Sequence, residues 1–92
     1  MALGLAIAAV DARAQAGASL VTEKGCMACH AVDQRKMGPS FKDIAAKYIG
    51  DVNAQATVVA KLRDGMGHPK VAASEIEIQS MVGYVLSTAT SK

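Results

Sequence analysis

Cys26-Met27-Ala28-Cys29-His30 is the stretch of this 92-residue chain whose residue types and spacing can do chemistry of their own. Two thiols three positions apart on a helix reach the two vinyl groups along one edge of a porphyrin, and the imidazole of the next residue then points at the iron. The five-residue pattern is that of covalent c-type haem attachment. Other uses of a Cys-x-x-Cys fit less well. No second Cys-x-x-Cys is present, which excludes a four-cysteine zinc site. Cys26, Cys29, His30 and His68 formally make a Cys2His2 set. Adjacent Cys29 and His30 would then have to turn towards one metal, and the usual paired-histidine spacing is absent. A thioredoxin-like dithiol belongs in a βαβ setting, whereas these flanks are alanine-rich and helical. Any free-thiol reading also leaves His30 without a role.

The rest of the chain must supply a second iron ligand, an apolar pocket and a controlled haem edge. Ninety-two residues make one small domain. A domain of this size buries a small fraction of its surface and often depends on a covalent or metal staple, and a haem would be that staple. Alanine is abundant, and the aromatic residues are Phe41, Tyr48 and Tyr84, with no Trp. An all-α chain is expected. A formal charge of +2 is too small to argue for a nucleic acid or a membrane surface as partner.

Residues 1–16 differ in character from the remainder of the chain. Met1 to Val10 is apolar and small, and Asp11 to Ala16 offers A-x-A-like cleavage sites after Ala14 or Ala16. This reads as the apolar and cleavage regions of a secretory signal, although a positive leading region is missing. An alanine-rich N-terminal helix is the competing reading. The apolar run is too short to span a bilayer, so no membrane span is expected in the mature protein. A signal agrees with the haem reading, because bacterial c-type haem is attached outside the cytoplasm, and it places the functional domain at residues 17–92.

From Ser19 onward four short helices are expected. Ser19 is a plausible N-cap for a helix over Leu20–Cys29, with Gly25 offering close approach to another helix. After His30 a polar loop leads to Gly38-Pro39, which stops a helix and fixes a turn. A haem-ligating histidine donates its other ring N–H to a carbonyl, and that of Pro39 is the candidate acceptor; an ordinary turn explains Gly38-Pro39 equally well. Phe41, Ile44, Ala45 and Tyr48 share one face of a helix. Asn53 can cap the next, Ala54–Arg63, with Ala56, Val59, Ala60 and Arg63 on one stripe and Val58 and Leu62 on a neighbouring one. The Gly/Pro-rich loop Asp64–Val71 carries the other strong iron-ligand candidates, His68 and Met66. Ser74-Glu75-Ile76-Glu77 is a capping box. It opens a last helix whose Ile78, Met81, Val82 and Val85 form a buried stripe, so Met81 reads as core.

Taken together, Lys24–His30, the run Gly38-Pro39-Ser40-Phe41-Lys42-Asp43-Ile44-Ala45-Ala46-Lys47-Tyr48, and Tyr84-Val85-Leu86-Ser87 resemble a small bacterial class I cytochrome c over nearly the whole of 17–87. The resemblance implies an all-α fold around one haem c, with N- and C-terminal helices crossing near Gly25 and Tyr84. It implies Cys26 and Cys29 as thioether anchors, His30 as proximal ligand and Pro39 as acceptor of the His30 ring N–H. It also implies single-electron transfer between periplasmic redox partners.

The departure lies in the distal loop. The family has a longer stretch there, ending in a Met-Pro pair whose Met is the sixth ligand. Counting back from the Ser74 cap, the residue in that position, immediately before a Pro, is His68; Met66 lies two residues earlier. Three arrangements are open: His68 ligates, giving a bis-histidine haem; Met66 ligates and His68 is a surface residue; or neither binds and the site is open. The first leads. The shortened loop also removes the family's Trp near the haem propionates, leaving Lys61 or Arg63 as candidate propionate partners.

A thioether favours ferrous iron and raises the potential, whereas a second imidazole favours ferric iron and lowers it. The expected function is thus a periplasmic one-electron carrier, monomeric or docked as the haem subunit of an oxidoreductase, and not itself an enzyme. Asp33, Asp43, Asp64, Glu75 and Glu77 read as caps and solvated charges. A haem-based gas binder with a displaceable sixth ligand is the alternative.

Overall fold

A computed structural model describes residues 16–90. The segment read as a signal lies outside the described residues, apart from Ala16. Among the described residues the secondary structure is all helical. Helix α1 covers residues 16–23, followed by a 3-10 turn Cys26–Ala28, then α2 (Phe41–Lys47), α3 (Ala54–Asp64) and α4 (Glu75–Ser87), which runs into a second 3-10 turn, Thr88–Thr90.

Helix α1 differs from its expected course at both ends. Ser19 lies inside it, exposed, rather than capping it. The helix also stops before the cysteines, because Gly25 takes a left-handed φ of 82°, which only glycine adopts without penalty. Gly25 is therefore a helix terminator and has nothing within 4 Å of where a Cβ would stand. The close approach falls earlier, within α1 itself, at Gly17. A Cβ there would land on the Ser80 carbonyl oxygen and 2.7 Å from Tyr84 Cβ, so the α1–α4 crossing is set at Gly17 and Tyr84.

The other helices start and stop for local reasons. Ser40, buried, caps α2 by accepting the Asp43 N–H at 3.0 Å, and Asp43 adds a carboxylate to the first turn. Asn53 precedes α3 without a side-chain cap bond. Asp51 holds that end instead: its Oδ1 accepts the Asn53 N–H at 2.8 Å and its carbonyl accepts the Ala54 N–H at 3.2 Å. Gly65, with φ 71°, ends α3, and the Gly65 and Met66 N–H groups both turn back to the Lys61 carbonyl. In α4 the capping box is complete, with Ser74 Oγ accepting from Glu77 N and Glu77 Oε1 accepting from Ser74 N.

These helices meet in one core of Val21, Phe41, Val58, Val59, Ile78, Met81 and Val82. Of the expected α4 stripe, Ile78, Met81 and Val82 are fully buried and Val85 is half-buried. Each such side chain stabilises the fold by roughly 1.5–3 kcal/mol. On α3 the buried face is Ala54, Val58 and Val59, with Leu62 half-buried; Ala56 and Arg63 face outward, so the stripe expected through Ala56 and Arg63 is rotated by one position.

Candidate haem-binding site

The 3-10 turn places the thiols. Ala28 N–H donates to Gly25 O at 3.1 Å, Cys29 N–H to Cys26 O at 3.2 Å and His30 N–H to Cys26 O at 3.0 Å. Three residues per turn bring side chains i and i+3 into line, so Cys26 and Cys29 project from one side of the turn more nearly in register than an α-helix allows. Both are half-buried. Burial pushes the Cys26 thiol above its ordinary value, partly offset by its backbone hydrogen bond.

His30 sits on a stitched loop. Gly38 N–H donates to the Cys29 carbonyl at 2.7 Å, Phe41 N–H to Ala31 O at 2.9 Å and Lys42 N–H to Val32 O at 3.0 Å. Between these bonds the Pro39 carbonyl lies 2.6 Å from His30 Nδ1. With Nδ1–H donated to that carbonyl, Nε2 is left as a lone-pair donor, the state a metal needs. Gly38 packs directly on the imidazole: a Cβ would stand 2.5 Å from His30 Cε1. Behind it, Phe41 lies 5.4 Å from the imidazole centroid and meets Tyr84 of α4 edge-on at 6.1 Å. An aromatic column from α2 and α4 thus backs His30.

The distal loop brings His68 opposite. Val71 N–H donates to the Leu62 carbonyl at 2.9 Å, folding the segment back along α3. Left-handed Gly65 and Gly67 make the two bends. The His30 and His68 rings are 6.1 Å apart and within 6° of parallel. That spacing is at the long end of the range for interacting rings. A metal held between the two Nε2 atoms would space the ring centroids by roughly 6 Å, in keeping with this separation. His68 Nδ1 lies 2.7 Å from the Pro69 carbonyl, so both histidines use Nδ1 on a proline carbonyl and keep Nε2. Two imidazoles, each with Nδ1 engaged on a proline carbonyl, together with two half-buried thiols are a donor set that fits a covalently attached haem.

The remaining candidates lie apart from this pair. Met66 is 59% exposed, and its N–H closes the end of α3. Lys61 is exposed on α3. Arg63 is occupied: its guanidinium pairs with Asp64 at 3.0 Å and Glu75 at 3.5 Å, and that hydrogen bond and charge raise the Arg63 pKa and lower that of Asp64. Two residues at the site had no sequence signal. Gly38 reads as a turn former, yet it also makes room for the imidazole. Lys36 Nζ donates to the Met27 carbonyl at 2.7 Å, across nine residues.

An all-helical fold that brings a Cys-x-x-Cys-His turn against an aromatic column defines a class I c-type cytochrome. The Cytochrome c family model matches residues 14–89. Over 75 residues the chain is 37% identical to cytochrome c-551 of Pseudomonas aeruginosa, covering 74% of this chain and 72% of that protein. It is 35% identical over 80 residues to cytochrome c-551 of Azotobacter vinelandii, covering 79% and 98%. Among solved structures, the class 1 cytochrome MtoD of Sideroxydans lithotrophicus ES-1 superposes with a TM-score of 0.71 at 32% identity, covering 82% of this chain and 95% of MtoD. The chain belongs to the cytochrome c family, whose members bind one covalent haem c and carry electrons between redox partners rather than acting as enzymes. Among the described residues, no helix is long and apolar enough to cross a membrane.

Proposed function

We propose that this chain is a periplasmic one-electron carrier whose single haem c is bonded through Cys26 and Cys29 and ligated by His30 on one face and His68 on the other. The observation that carries the reading is the pair of near-parallel imidazoles 6.1 Å apart, each anchored through Nδ1 to a proline carbonyl. Met66 is the weaker candidate, because its backbone closes α3 and its side chain points to solvent. When bound, the haem supplies a ferric–ferrous couple.

The chain's own residues do the rest. Pro39 and Pro69 fix the tautomers and aim both Nε2 atoms. Two strong donors hold iron low-spin and favour the ferric state, so the potential lies below that of a relative with histidine and methionine ligands. Six-coordinate iron leaves little room for substrate, which suits a carrier. Lys61 is a better propionate partner than Arg63, whose guanidinium is already paired. A secretory signal in residues 1–16 accounts for the periplasmic assignment, since haem c is attached outside the cytoplasm. The chain works as a monomer or as the haem subunit of a larger oxidoreductase, docking through a small, weak and salt-sensitive contact.

The test is the optical and low-temperature EPR spectrum of ferric wild type beside His68→Ala and Met66→Ala. A wild type without the weak far-red sulfur-to-iron band, turned high-spin by His68→Ala alone, is the expected result. A far-red band abolished by Met66→Ala makes the protein a His/Met cytochrome. Rapid carbon monoxide binding by the ferrous wild type favours a gas binder instead.

A further inference from the structure

The loop between His30 and Ser40 is tied to the attachment turn at three points, one of them the weak Cys29 Sγ–Met37 Sδ contact at 4.0 Å. The Gly38–Cys29 bond sets the Gly38-Pro39 segment beside His30. A further tie, Lys36 Nζ to the Met27 carbonyl at 2.7 Å, bonds to neither imidazole. Met27 stands between the two haem-bonding cysteines, so the ammonium rests on the backbone of the segment joined to the haem. Lys36 is otherwise exposed, and a lysine that only needed hydration would extend into water. Its own N–H donates to the Gly38 carbonyl at 3.0 Å, so the residue is held at backbone and tip alike. The ion pairs among the described residues are Lys24–Glu77, Arg63–Asp64 and Arg63–Glu75; no carboxylate there lies within 4.0 Å of Lys36 Nζ.

We propose that Lys36 is a positioning residue that sets the reduction potential, clamping the Met27 carbonyl and holding an uncompensated positive charge beside the covalently attached haem edge. Ferric haem carries one more positive charge than ferrous haem. A fixed cation nearby disfavours the ferric state and raises the potential, opposing the second imidazole. The effect is electrostatic and weakens with salt. The inference rests on the haem reading of Cys26, Cys29 and His30, and is independent of whether His68 or Met66 is the sixth ligand.

The test is spectroelectrochemistry of the holoprotein, wild type beside Lys36→Met, Lys36→Glu and Lys36→Arg, at low and high ionic strength, with amide hydrogen exchange at Gly38. At a fixed electrode potential, Lys36→Met is expected to raise the ferric-to-ferrous ratio on the order of twofold. That is a fall of about 18 mV in midpoint for a one-electron couple. Lys36→Glu shifts it further in the same direction, Lys36→Arg stays near wild type, and added salt compresses the series. Faster Gly38 exchange in Lys36→Met reports the lost clamp. Midpoints unchanged by Lys36→Met and Lys36→Glu overturn the proposal, as does an Arg variant that behaves like Met. A wild type with no haem surviving acid-acetone extraction overturns the haem reading itself, and this inference with it.

Discussion

At the scale of single residues, the site depends on atoms that fix imidazole orientation more than on the imidazoles alone. Pro39 was readable as an acceptor only in part, because Gly-Pro marks a turn in any protein; the 2.6 Å contact to His30 Nδ1 comes from three backbone bonds that no local pattern announces. Gly38 was less legible still. Its lack of a Cβ is what lets His30 lie where it does. Gly38→Ala is therefore expected to displace the ring and destabilise the holoprotein by about 1–3 kcal/mol, seen as a lower thermal midpoint together with a high-spin fraction in the optical spectrum. A variant with the wild-type spectrum and midpoint removes Gly38 from the site. His68→Met tests the distal side differently. A thioether in place of an imidazole raises the potential, so a potentiometric titration should move upward and a far-red band should appear. A downward or absent shift with no band contradicts His68 as ligand.

Helix by helix, what could be read from the chain followed how local the determinant was. The α4 capping box and its Ile78, Met81, Val82 stripe lie within a dozen residues, and both are present as expected. The extent of α1 and the helix crossing were misplaced because they are tertiary facts. Gly25 and Gly17 look alike in sequence, and only the approach of Ser80 and Tyr84 distinguishes the packed one from the terminator. Gly17→Val should separate α1 from α4 at a cost of about 1–3 kcal/mol in chemical denaturation, whereas Gly25→Asn, on a residue type that tolerates a left-handed φ, should cost less. Equal losses would refute the assignment of the crossing. The α4 cap carries a pH dependence whose sign is fixed. The Ser74 backbone N–H, and more weakly Lys24, hold the Glu77 carboxyl below the ordinary glutamate range. A carboxyl lowered on folding adds stability that is complete above its unfolded value and is lost as pH falls through the lower folded one. Denaturation midpoints should thus drop on acidification through the glutamate range, and Glu77→Gln should flatten that slope. Ser74→Ala should cost about 0.5–2 kcal/mol at neutral pH.

For the whole molecule, the site and the core are the same object. Cys26, Met27, Val32, Ile44, Tyr48, Leu62, Val71 and Tyr84 are only partly buried against the core. They come from the attachment turn, the loop after it, α2 and its C-cap, α3, the distal loop and α4. Under the proposed ligation, a covalent haem would join His30 and His68, 38 residues apart, closing a long loop whose entropy otherwise favours the unfolded chain. The family of the chain was legible from three segments, residues 24–30, 38–48 and 84–87; His68 stood out as the leading distal candidate from its place before Pro69, whereas the folding of its loop back along α3 depends on contacts such as Val71 to Leu62, which no local pattern announces. The consequence is measurable. A Cys26→Ala/Cys29→Ala chain, which cannot hold haem covalently, should retain some far-UV helicity from α3 and α4 but lose a cooperative thermal transition and bind a hydrophobic dye. The holoprotein should unfold in one step, with its Soret band and helicity lost together. A cooperative transition in the cysteine-free chain, matching the holoprotein in midpoint, would show that the helices close on one another without the haem and that the half-covered residues are an ordinary surface.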